Sequence, residues 1–156
     1  MNRLFSKRII ATLLLIIPFY ATAFPKDLMY LGKPIHPACI CAIRPLAGSP
    51  EPQAVYSKEI NEFPYTFDAQ TNTVTCEDHS EYIYIGTYKN MHLVLSYEYG
   101  KGSGVFADLG LIERHRNKIV NVGTIAAGNR GCGGTIQVEE FKDGILRYSQ
   151  IFYHMG

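Results

Sequence analysis

From residue 82 to residue 153 the chain alternates apolar and polar side chains with a period of two, interrupted only by short turns. Nothing else in the sequence constrains the fold as strongly. Successive side chains of a strand point to opposite faces, and no helical period fits between these runs. Met91, Leu93, Leu95, Tyr97 and Tyr99 mark one face of a strand, and His92, Val94, Ser96 and Glu98 mark the other, which predicts a half-buried strand. Residues 82–88, 91–99, 105–113, 119–126, 135–141 and 145–153 read as six successive strands. Lys89-Asn90 is short enough for a hairpin, and Asp143-Gly144 is a type I′ turn signal. Parallel strands need long crossovers, so short turns imply antiparallel pairing. The expected fold is mainly β: an antiparallel meander closed as a small barrel or folded as a sandwich. Upstream, residues 65–76 predict two short strands around Gln70-Thr71-Asn72, and residues 54–60 fit a strand or a short helix equally well.

The N-terminus reads as an address. Arg3, Lys7 and Arg8 precede an apolar run over residues 9–21, and Ala21-Thr22-Ala23 offers a small-x-small cleavage site. That order predicts a secretory signal peptide over residues 1–23, cut after Ala23. The run is too short for a membrane span, so no stable membrane insertion is expected after cleavage, and the expected location is periplasmic or secreted. Loss of three basic residues would turn the formal net charge from +1 to −2, which leaves no basic footprint for nucleic acid. Residues 24–52 carry six of the eight prolines and predict a Pro-rich extended arm, with at most one short helix starting at Pro37 and ending by Pro45. Residues 53–156 are then the antiparallel β domain.

Cys39, Cys41, Cys76 and Cys132 all follow the expected cleavage site. An even count in an exported chain predicts two disulfides. Cys39 and Cys41 are too close in sequence to bridge each other readily. Each is therefore expected to pair with Cys76 or Cys132, in an order the sequence leaves open. His36, Cys39, Cys41, Cys76 and His79 approach a zinc-ligand set, but the oxidising compartment favours disulfides, so no metal and no cofactor are expected.

The candidate binding element is the loop Gly128-Asn129-Arg130-Gly131-Cys132-Gly133-Gly134. The planar fork of Arg130 suits a carboxylate or phosphate, and the backbone of Asn129, Gly131 and Gly133 can add donors to the same anion. Cys132 beside Arg130 is a candidate nucleophile if His79, His92 or His115 served as its base. Asp108 and Glu98 lie within strands and are expected on the wet face of the sheet. The basic turn at residues 114–118 is expected to be a solvated tip.

Residues 32–39 and the glycine loop resemble segments of small exported bacterial β-rich proteins with no assigned function, a resemblance that brings no activity with it. The Gly-Cys pair is similar to part of the L,D-transpeptidase pattern Ser-x-Gly-Cys-x-Arg, but Gly134 stands where the arginine belongs and no His-Gly pair occurs. Periplasmic lysozyme inhibitors are similar in size, export and architecture. Of their Ser-Gly-x-Arg-Tyr signature, Ser103-Gly104-Val105-Phe106 keeps only the first two residues. The functional expectation is an exported, non-enzymatic binding module for a protein or cell-envelope component. The alternative is an envelope hydrolase or transferase with Cys132 as nucleophile.

Overall fold

The computed structural model describes residues 22–44, 53–77, 80–99, 104–129 and 135–151. Most of the expected signal peptide, residues 45–52 of the expected arm and residues 130–134 of the glycine loop lie outside these.

Residues 22–44 are more structured than the expected extended arm. A 3-10 turn at Lys26–Leu28 leads into a hairpin of β1 (Met29–Tyr30) and β2 (Lys33–Pro34). The hairpin turns through Leu31 and Gly32 at φ 50° and 79°, the sign pattern of a I′ turn. Leucine seldom adopts that backbone, so the turn carries no sequence signal. The short helix α1 (Pro37–Cys41) follows, with Pro37 at its first turn as expected. His36 caps it: Nδ1 accepts the Ala38 N–H at 3.1 Å.

The ambiguous residues 54–60 resolve into both elements, β3 (Gln53–Val55) and then α2 (Lys58–Glu62), capped by the Ser57 hydroxyl. Six strands follow as a meander: β4 (Tyr65–Asp68), β5 (Thr73–Cys76), β6 (Glu81–Tyr88), β7 (Met91–Tyr99), β8 (Val105–His115) and β9 (Lys118–Asn129). With β3 they form one antiparallel sheet in the order β3-β9-β8-β7-β6-β5-β4. The sheet curls as a half-barrel. The last hairpin, β10 (Thr135–Lys142) and β11 (Ile145–Ile151), turns through Asp143 and Gly144 at φ 52° and 76°.

Two covers bury the two faces of this sheet. Residues 22–44 lie on one face, where Leu28, Ile35, Ile40 and Ile43 pack with Tyr56, Val74, Tyr82, Tyr84, Val94, Ile112 and Ile119. Phe24, the first residue after the expected cleavage site, joins them, its ring 5.0 Å from Phe67 and 5.7 Å from Tyr84. The β10–β11 hairpin lies on the other face, where Ile136 packs with Leu93, Leu95, Ala107, Leu109 and Ala126. Each fully buried leucine, isoleucine or valine among them contributes about 1.5–3 kcal/mol. A Cβ at Gly86 would come within 2.3 Å of the Phe141 ring, so only glycine lets the hairpin seat there.

This double cover corrects one expectation. Residues 92–96 of β7 are buried on both faces rather than half-buried. Alternation reported the strand, but the second face carries its own lid of N-terminal chain.

Candidate binding groove beside β4

A groove of about 420 Å³ opens between the β1–β2 hairpin, α2 and β4. Met29, Pro34, Phe63, Tyr65 and Phe67 give it apolar walls, and Lys33, Asn61 and Glu62 give it polar ones. Its base is held rigid by one buried amide. Asn61 Oδ1 accepts the His36 N–H at 3.0 Å, and its Nδ2 donates to the Pro34 carbonyl and to Tyr65 Oη, each at 3.3 Å. The Tyr65 hydroxyl donates to the same Pro34 carbonyl at 2.7 Å, and burial pushes its pKa up. The neighbouring α2 and β4 are thereby fixed to β2 and the start of α1, some distance back in the chain.

The rim is unusually apolar. Phe63 is 63 % exposed and Leu31, next to the groove-lining Gly32, is 70 % exposed. Phe67 is also exposed. Among the described residues β4 pairs with β5 alone and ends the strand order. Its outer edge therefore offers backbone donors and acceptors of the kind an added strand uses. Large apolar side chains around a concave site with a few fixed polar groups are the usual make-up of a ligand groove.

Behind the groove lies a cysteine–histidine pair. Cys76 Sγ sits 3.5 Å from His36 Nε2 and 3.7 Å from Nδ1, and the His36 ring packs edge-on against Tyr65. Nδ1 accepts from the backbone of α1, so the neutral ring carries its proton on Nε2, the nitrogen nearer the sulfur. That nitrogen has no lone pair left for a thiol proton. Both residues are buried where α1 meets β5.

The other expected site residues fall as follows. The bridges expected from Cys76 to Cys39 or Cys41 are not formed: no disulfide links these three cysteines to one another. The reason is direction. Cys39 Sγ faces the Val55 carbonyl of β3 at 3.9 Å, Cys41 Sγ faces the Tyr97 carbonyl of β7 at 3.8 Å, and Cys76 faces His36. Burial pushes the Cys39 thiol up to about 11, which keeps it protonated. Asn129 ends β9 opposite Phe106. Arg130, Gly131, Cys132, Gly133 and His79 lie outside the described residues. Among the described residues no group of three or more His, Cys, Asp or Glu side chains could hold a metal. His115 pairs with Glu113 at the exposed tip of the basic turn. His92 is buried against Thr87, with Asp27 3.7 Å from its Nε2, and burial lowers its pKa.

Asp108 and Glu98 are not equivalent, contrary to expectation. Glu98 is partly exposed, but Asp108 is only 4 % exposed, beneath the cover formed by residues 22–44. The partner missed in the sequence is Arg44, 2 % exposed within that cover. It forms an ion pair with Glu98 and donates to the Phe106 carbonyl at 3.2 Å and to the Cys41 carbonyl at 3.4 Å. Burial raises the Asp108 pKa from 3.8 to about 6, against the opposing pull of Arg44. An aspartate inside an otherwise apolar strand was the one available signal.

The chain matches no protein-family model, no curated protein and no solved structure.

Proposed function

We propose that this chain is an exported, non-enzymatic binding module that takes a protein or cell-envelope component into the groove beside β4. One observation carries the reading: an open groove with a rigid polar base, rimmed by the exposed Leu31, Phe63 and Phe67 and bounded by an edge strand. Export rests on the charged, apolar and small-residue order of residues 1–23.

Partner capture from envelope extract tests the reading with three proteins: wild type, Phe63→Asp and Arg130→Ala. The groove account expects a specific partner on wild type and Arg130→Ala and its loss on Phe63→Asp, with circular dichroism unchanged in all three. Loss on Arg130→Ala alone would move the site to the glycine loop. Retention by all three would end both versions.

A further inference from the structure

Arg44 is the last described residue of the cover formed by residues 22–44, and beneath it lies a carboxyl the fold has not satisfied. Among the described residues Asp108 Oδ2 is buried without a hydrogen-bond partner. Its surroundings explain why. From β9 the residue directly across is Ala127, and from β7 it is Ser96, whose hydroxyl donates to the Asp108 carbonyl at 3.5 Å rather than to the carboxylate. On its own strand Gly110 stands so close that a Cβ there would meet Asp108 Oδ1 at 3.0 Å. From the cover, Arg44 is the charged group that acts on it, with Cys41 acting on Arg44 in turn. The guanidinium itself is shared with Glu98 and two carbonyls. The ionised carboxylate is thus held dry, with a divided counter-charge and one oxygen unsatisfied.

We infer that Asp108 makes the cover a pH-responsive latch, in which the α1–Arg44 end lifts from β7 and β8 more readily at neutral than at acidic pH. Lifting that end admits water to the carboxylate and relieves its burial. A protonated carboxyl gains far less from the same water. The sign follows from linkage: an acid whose pKa is raised in the closed state, from 3.8 to about 6, favours closure at low pH and loses that contribution as pH rises through about 6. His92, 3.7 Å from Asp27 at the other end of the cover, acts in the opposite sense, because burial lowers its pKa and acid disfavours its closed form. The two ends are therefore separable by mutation.

Hydrogen exchange with mass spectrometry on the purified protein tests this, with rates corrected for intrinsic exchange chemistry. The peptide carrying residues 42–44 should open about tenfold more at pH 7.5 than at pH 5, the ratio set by titration at 3.8 when open and about 6 when closed. The β10–β11 hairpin should show no such ratio. Asp108→Asn should flatten the dependence at residues 42–44, and Glu98→Gln should keep it. A flat wild-type profile, or a tenfold ratio surviving in Asp108→Asn, overturns the latch. Carbon-13 titration of the Asp108 carboxyl in the wild type decides independently of any variant: a midpoint near 6 is expected, and one below 4.5 refutes the proposal.

Discussion

Replacing Arg44 by methionine keeps most of its apolar stem and removes the charge, so the change isolates the guanidinium. Three consequences set the magnitude at pH 7. The charge-assisted hydrogen bond to the Phe106 carbonyl is lost, at about 1.5–3 kcal/mol. Asp108 loses its counter-charge, but protonation caps that penalty. With a pKa already near 6, becoming neutral at pH 7 costs no more than about 1.4 kcal/mol beyond the present state. Against these stands the desolvation of the guanidinium, which the variant no longer bears. The net expectation is a loss of about 1–4 kcal/mol, a large share of a typical stability of about 5–15 kcal/mol. Asp108→Asn should act oppositely at pH 7. The raised pKa of Asp108 corresponds to about 3 kcal/mol of stability forgone by the ionised form, so the neutral isostere should gain about 1–3 kcal/mol. In the double variant, the cost of losing Arg44 should shrink by about 1 kcal/mol, because no carboxylate remains to be stranded. Urea unfolding at pH 7 and pH 4.5 of the four proteins measures every term. A loss below about 0.5 kcal/mol for Arg44→Met, or an identical loss with and without the carboxylate, would refute the reasoning.

Other expectations follow from the same packing. Gly86→Val should destabilise by about 1–3 kcal/mol by forcing Phe141 off β6, and Phe141→Leu in that background should recover part of the loss in thermal unfolding. Leu31→Gly should gain up to about 1 kcal/mol by relieving the left-handed backbone at φ 50°, while weakening partner capture if Leu31 belongs to the binding rim. In reduced native protein at pH 8, Cys39 should resist iodoacetamide, since its thiol titrates at about 11, and should react once denaturant is added. Rapid native labelling at Cys39 would contradict its burial.

The meander was legible because alternation over residues 82–99 has one structural solution, and because Asp143-Gly144 names its own turn. What covers each face was not. Alternation cannot reveal that residues 22–44 lie over Val94 and Ser96, which is why β7 read as half-buried and Asp108 as wet. The β1–β2 turn was hidden because Leu31 occupies a conformation that normally announces itself through Gly or Asn. The groove was hidden for a different reason: Pro34, Asn61 and Tyr65 converge only after α2 folds against the hairpin. Nothing in the sequence singles out Phe63 and Phe67; only the end of the strand order at β4 leaves them exposed. Arg44 was hidden because a lone arginine before a proline normally reaches solvent, although its neighbours Ile40, Cys41, Ala42 and Ile43 are apolar.

The groove assignment is tested most directly by placing a photo-activated cross-linking amino acid at Phe63 and irradiating the protein in its native envelope. A second protein carrying it at the exposed Tyr148, on the outlying hairpin, serves as the comparison. The account predicts one discrete adduct of constant mass from position 63, and none of that mass from position 148. The same adduct from both positions, or no adduct from position 63, would contradict it.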